Sequence, residues 1–181
     1  MKKNVLSKLL LLLLVLGIAS CKKDSTTSPA TSDSYVKFNV NGNWVTYKGL
    51  GELGPDLDDA TKTDLVISGN SDDNKNNFSI SVQVDGSNLN TGSYSSDQYP
   101  QSFVTVDYMI SPDASTIKDY DIDDALGNEP SKYIVTLTSV SSTQIKGTFS
   151  GNYLYDSFNS DEADKGIVHI TEGTFQVKRT K

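Results

Sequence analysis

Cysteine and histidine are almost missing from this chain of 181 residues, in which Cys21 and His169 are the single examples of their kinds. Structural and catalytic zinc sites use several such side chains, so the sequence predicts no zinc centre. A lone cysteine also excludes an intramolecular disulfide. Glycine-rich phosphate loops and the Gly-x-Ser-x-Gly turn of serine hydrolases do not occur either. His169 falls in a predicted strand, and we interpret it as a structural or solvent-facing histidine.

Positive charge is scarce as well. The chain has 16 Lys and Arg residues against 23 Asp and Glu residues, a formal charge of -7 at neutral pH. The amino-terminal segment is basic, so the rest of the chain is still more acidic. Nucleic acid and anionic lipid surfaces repel such a chain, and we expect no nucleic-acid partner.

The amino terminus has the pattern of a secretory signal. Lys2 and Lys3 precede an apolar run from Leu9 to Ala19. As a helix this run would reach roughly 16 Å, against a hydrocarbon core of about 30 Å. We therefore expect residues 1–20 to be a cleaved signal peptide and the mature protein to have no transmembrane helix.

The end of this signal, from Ile18 to Cys21, resembles the lipobox of bacterial lipoproteins. The resemblance implies cleavage before Cys21, a diacylglyceryl thioether on its sulfur and an acyl group such as palmitate on the new amino terminus. Each buried methylene contributes about 0.8 kcal/mol, so two or more chains hold a protein firmly in a bilayer. The predicted membrane contact is therefore made through Cys21.

The segment after the anchor, residues 21–34, is predicted to be a flexible tether, because its polar composition cannot bury enough apolar surface. Lys22 stands where an inner-membrane retention signal would place Asp, which favours the outer membrane. Periplasmic and surface-facing orientations both stay open.

Residues 35–181 show the pattern of one β-rich domain. Val36, Phe38 and Val40 alternate with polar residues, and Asn41-Gly42 then gives a strong hairpin signal. The other strand patterns lie at 65–69, 78–84, 103–110, 133–137, 145–155, 166–171 and 175–177. We predict an all-β fold, mainly an antiparallel β-sandwich or flattened barrel of about eight or nine strands.

The stretch from Ser111 to Pro130 interrupts this pattern and is predicted to be one long acidic loop. We interpret it as a solvated acidic loop without metal, because an EF-hand would need Gly in place of Asp124 and Glu in place of Pro130. The alternative is a calcium site, since hard cations take clustered carboxylate oxygens. The candidate ligands are Asp119, Asp121, Asp123 and Asp124. No other cofactor is expected.

Aromatic side chains supply the candidate ligand-binding residues. Tyr153 and Tyr155 share one face of a predicted strand, and Trp44 follows the first hairpin turn. Sugar-binding sheets present such rings to their ligands, so the three residues are candidates for binding a glycan. The alternative is that they cover an edge of the core, as strand aromatics usually do.

Several short motifs resemble small Bacteroidota lipoprotein families of unknown function. They include Asn41-Gly42 with Trp44, the segment from Ile145 to Phe149, and the terminal strand from Ile170 to Phe175. The resemblance implies a lipoprotein with a β-sandwich-like domain and no established activity. Two of these segments repeat Gly-Thr-Phe, which predicts a strand pair that packs both Phe side chains into the core.

These observations favour a lipid-anchored envelope protein whose domain binds a ligand or partner, a glycan or an envelope protein, and is not an enzyme. Two alternatives stay open. One is an envelope hydrolase, which would need two carboxyls held about 5 to 9 Å apart across a cleft. The other is a purely structural or accessory lipoprotein.

Overall fold

The structure, a computed structural model, describes residues 34–97, 102–113, 116–122, 132–156 and 166–180. The predicted signal peptide, Cys21 and most of the tether lie outside these ranges, as do Asp123 and Asp124. Within them, no helix has the length and apolarity needed to cross a membrane.

Twelve strands make up the described fold. They are β1 (Tyr35–Val40), β2 (Asn43–Pro55), β3 (Lys62–Asn70), β4 (Asn76–Asp85), β5 (Gly92–Ser95), β6 (Ser102–Asp113), β7 (Thr116–Asp121), β8 (Ile134–Val140), β9 (Gln144–Ser150), β10 (Leu154–Asp156), β11 (Ile167–Val168) and β12 (Ile170–Thr180). All belong to one sheet in the order β11-β10-β7-β6-β4-β3-β2-β1-β12-β9-β8-β5, which curves into a half-barrel.

The predicted all-β, mainly antiparallel fold is confirmed. One short parallel contact joins the end of β12 to Gly51 on β2. The predicted count of eight or nine strands is wrong, because the structure has twelve. The pattern at 145–155 is split into β9 and β10, and the predicted acidic loop contains a further strand.

That loop is the second correction. β6 extends to Asp113, and β7 occupies Thr116–Asp121, so the first half of the predicted loop is a strand pair. Tyr120 is buried between two half-buried aspartates, Asp119 and Asp121. A strand with its acids on one face and a single buried ring on the other gives a weak alternation, which explains the error. Residues 123–130 lie outside the described ranges.

The first hairpin is confirmed in detail. Asn41 and Gly42 both adopt positive φ, 49° and 84°, as a type I′ turn requires. Phe38 on β1 and Tyr47 on β2 are buried and meet edge to face, with ring centroids 5.1 Å apart. Phe78 on β4 stacks on Phe38 at 4.3 Å, so the hairpin packs directly into the aromatic core.

The repeated Gly-Thr-Phe segments form the predicted pair. β9 and β12 are antiparallel neighbours, with Gly147 opposite Phe175 and Phe149 opposite Gly173. Both Phe side chains are buried. Each ring occupies the space beside the opposing glycine, because a Cβ on Gly173 would lie 2.2 Å from Cζ of Phe149.

β9 to β12 form one long hairpin with a bend. β10 pairs with β11, β9 pairs with β12, and the Gly151 amide donates to the Thr171 carbonyl at 2.9 Å between these two ladders. In the β9–β12 ladder the buried face holds Phe149, whereas in the β10–β11 ladder the opposite face is buried through Leu154 and Val168. The residues that alternate with Leu154 and Val168 therefore point outward.

Candidate functional site

A cavity lies at the end of the half-barrel where β2 ends and β3 begins. Its volume is about 370 Å³, which is near the lower end of the range for small-molecule sites. The lining residues come from both ends of the domain's sequence: Leu53, Gly54, Pro55, Ala60, Lys62, Thr63, Ser87, Asn88, Leu89, Val140 and Arg179.

Apolar side chains form much of the cavity wall, contributed by Leu53, Val140 and the buried Leu89. The hydroxyl of the buried Thr63 donates to the Gly86 carbonyl at 2.6 Å, so it is already engaged within the protein. The wall therefore combines apolar side chains with polar groups, which include Ser87, Asn88 and two charged residues.

Both charged residues that line the cavity are cations, Lys62 and Arg179. Lys62 Nζ lies 3.8 Å from Asp59 Oδ2, a long ion pair between partly exposed groups. Arg179 donates from Nη1 to the Ser141 carbonyl at 3.4 Å. A guanidinium has five N–H donors, so this bond leaves most of its capacity for a ligand.

The predicted tyrosines form a separate surface patch on the outward face of the bent hairpin. The rings of Tyr153 and Tyr155 meet edge to face, with centroids 5.2 Å apart, and Tyr153 contacts His169 at 6.4 Å. Ile167, opposite Tyr155 on β11, is half exposed. We call these four residues the tyrosine patch; none of them lines the cavity described above.

Trp44, the third predicted ligand-binding residue, lies apart on the β1–β2 hairpin. Its side chain is half exposed, and Lys37 Nζ lies 5.1 Å from the ring centroid. The structure therefore brings Tyr153 and Tyr155 together and places Trp44 with a lysine. Asn152, a neighbour of the tyrosines, accepts a hydrogen bond from the Lys132 amide.

The described half of the predicted calcium site lies on the outer face of the sheet. Asp121 on β7 is directly opposite Asp107 on β6, and Asp119 lies two residues before Asp121 in the sequence. Burial raises the pKa of Asp107, and the charge of Asp119 raises it further. Among the described residues no three acidic, His or Cys side chains are grouped closely enough to hold a metal ion. Asp123 and Asp124 lie outside those residues.

A second carboxyl pair joins the β2–β3 turn to β3. Asp56 accepts the amides of Asp58 and Asp59 and the side-chain amide of Gln83 at 2.6 Å. These bonds hold the pKa of Asp56 below its usual range. Burial, and then a hydrogen bond with Asp56, raises the pKa of Asp64. The two carboxyls therefore influence each other's pKa in opposite directions.

Sequence reasoning missed the cavity. Its two cations are far apart in the sequence and fall in different strands, β3 and β12. One signal was available, because Arg179 is the only arginine in an acidic chain. An arginine in such a setting is a candidate for binding an anion.

Comparison with known proteins gives no relative: no family model, curated protein or solved structure matches this chain.

Proposed function

We propose that this protein is an outer-membrane lipoprotein, held by acyl chains on Cys21, whose β domain binds a ligand or partner without catalysing a reaction. The cavity beside Lys62 and Arg179 carries the binding part of this proposal, because apolar side chains and two cationic residues line one concave space. Small-molecule sites are concave and combine apolar surface with a few polar groups that orient the ligand.

The anchor is tested by replacing its sulfur. Cys21→Ser should leave the protein unprocessed or release it from the membrane fraction, because no thioether can form. Palmitate labelling, fractionation and intact mass measure the outcome, with Ser25→Ala in the tether as the control that keeps the anchor. Normal processing and membrane retention of Cys21→Ser would refute the lipoprotein proposal.

Binding of a glycan by the tyrosine patch is a second candidate. Its support is the contact of Tyr153 with Tyr155 and His169 on an outward face. Aromatic rings supply large contact area at low entropic cost, and their faces suit the apolar faces of sugars.

A glycan array probed with the lipoprotein, with and without calcium, tests this candidate. We expect Tyr155→Ala to abolish a specific signal and Trp44→Ala, on the other hairpin, to leave it unchanged. A signal that needs calcium would support a metal role for Asp119 and Asp121. Equal signals from all variants would rule out the patch.

A further inference from the structure

We infer that the cavity binds a small organic anion: an apolar body that ends in a carboxylate or a phosphate group. The inference deepens the proposed function and rests on it. At a water-sized share of about 30 Å³ per non-hydrogen atom, a volume of about 370 Å³ accommodates roughly twelve such atoms. The part of the ligand that the cavity holds is therefore about the size of an aryl or short acyl acid.

The charge of the lining selects the anionic end. Lys62 and Arg179 line one space, and the lining contains no carboxylate. Three acids lie near Lys62 outside the lining: Asp59, 3.8 Å from Nζ, Asp85, its partner in the β3–β4 ladder, and Asp64, two residues further along β3. The described side-chain bond of Arg179 is to a backbone carbonyl, and none of the described ion pairs involves this guanidinium. Arg179 is therefore the main attraction for an anion that enters the cavity, with Lys62 on the same lining.

The geometry of arginine suits either acidic group. The planar guanidinium donates two parallel hydrogen bonds to a carboxylate or a phosphate, whereas lysine acts as a point charge. Arg179 is held from its backbone as well, because its amide donates to the Thr143 carbonyl at 3.0 Å. The backbone of Arg179 is therefore held in place before a ligand binds.

The apolar wall selects the body of the ligand. Leu53 on β2, Leu89 in the β4–β5 connection and Val140 on β8 meet around the cavity. An apolar body displaces water from them and is stabilised in proportion to the apolar area that it covers. Exclusion of water also strengthens the attraction between the anion and the two cations. Inorganic phosphate gains nothing from the wall and should bind weakly.

Two probes of equal size test the inference: 4-phenylbutanoate and its neutral amide, with 3-phenylpropyl phosphate as the phosphate arm. The lipoprotein is reconstituted in phosphatidylcholine vesicles, and equilibrium dialysis measures binding after subtraction of protein-free vesicles. The acid should bind at least about ten times more tightly than the amide, since bonds to charged groups exceed neutral ones. Comparison of the two acidic probes shows whether the Arg179 guanidinium prefers a carboxylate or a phosphate group.

Substitutions of residues that line the cavity test where the probes bind. Arg179→Gln and Lys62→Gln should each weaken binding of the acid about tenfold and leave the amide unchanged. Lys178→Gln, an exposed neighbour on β12, is the matched control and should bind normally. Val140→Trp should abolish binding of both probes by filling the cavity, and a thermal unfolding curve for each variant confirms that it is folded.

The outcomes separate the inference from the proposed function. If the acid and the amide bind equally and Val140→Trp blocks both, the inference that the cavity selects anions is overturned. The proposal that the cavity binds a ligand then still stands. Binding that survives Val140→Trp places the site elsewhere and overturns the inference. Failure of every probe to bind the folded wild-type protein overturns both.

Discussion

At the scale of single residues, Gly147 and Gly173 are required by the phenylalanines opposite them. A Cβ on Gly173 would lie 2.2 Å from Cζ of Phe149 and 2.8 Å from the Lys37 carbonyl oxygen. Because the carbonyl belongs to the β1 backbone, the clash cannot be relieved by a side-chain rotation alone. We expect Gly173→Ala to lower the free energy of unfolding by about 1–3 kcal/mol, as overpacking of cores does. Urea denaturation measures the change.

A matched glycine and a double variant sharpen this test. Gly54, also in a strand, has open space where its Cβ would be, so Gly54→Ala should leave the stability unchanged or raise it slightly. Phe149→Leu combined with Gly173→Ala should cost less than the sum of the two single changes, since the smaller side chain removes part of the clash. Strict additivity would show that Phe149 is not the source of the strain.

Asp64 makes stability depend on pH. Its pKa is raised, first by burial and then by its bond to Asp56, so the folded protein holds this proton at a pH where the unfolded chain releases it. The stability contributed by the proton is complete below the unfolded value near 3.8 and is lost as pH rises through the folded value. Asp64→Asn should therefore stabilise the protein at pH 7 relative to wild type.

The difference should shrink towards pH 3, where wild-type Asp64 is protonated in both states. Urea midpoints at the two pH values measure it, and Asp58→Asn, at an exposed position in the β2–β3 turn, is the control. An Asp64→Asn protein that is less stable than wild type at pH 7 would contradict the raised pKa of Asp64.

At the scale of elements, the first turn is tied to the bent hairpin. The Asn41 amide donates to the His169 carbonyl at 2.8 Å, and Oδ1 of Asn41 accepts from the His169 amide at 2.9 Å. Asn41 does this with φ at 49°. One side chain thus joins the β1–β2 hairpin to the junction of β11 and β12.

Two substitutions separate the roles of Asn41. Asn41→Gly keeps the positive φ and loses the side-chain bond, at about 1 kcal/mol. Asn41→Ala loses the bond and adds roughly 1 kcal/mol or more of left-handed backbone strain. We expect the alanine variant to be the less stable of the two in urea denaturation. Equal losses would show that the backbone conformation contributes little.

The success of prediction from sequence differed between elements for physical reasons. β4 follows strict alternation with Phe78, Ile80 and Val82 buried, and such a pattern identifies a half-buried strand by itself. β7 is held mainly by its pairing with β6, a contact distant from its own sequence pattern. Alternation is a local signal, so it identifies β4 and misses β7.

At the scale of the whole molecule, the candidate cavity depends on topology that no local pattern encodes. β12 is last in the sequence, yet it pairs with β1 and touches β2 in the middle of the sheet. That position places Arg179 beside residues of the β2–β3 hairpin. Tyr153 and Tyr155 were predictable as a pair, because their contact needs only the two-residue period of one strand.

The same topology ties the first described residues to two other strands. Ser34 accepts the Gly49 amide at its carbonyl and the Lys178 amide at its hydroxyl, and Tyr35 pairs with both β2 and β12. A chain that begins at Ser34 should therefore keep the unfolding free energy of the full chain within about 0.5 kcal/mol. A chain that begins at Val36 should lose about 1–3 kcal/mol, because buried ladder groups lose their partners. Urea denaturation of both truncations measures this, and a destabilised Ser34 chain would show that residues 1–33 contribute to the fold.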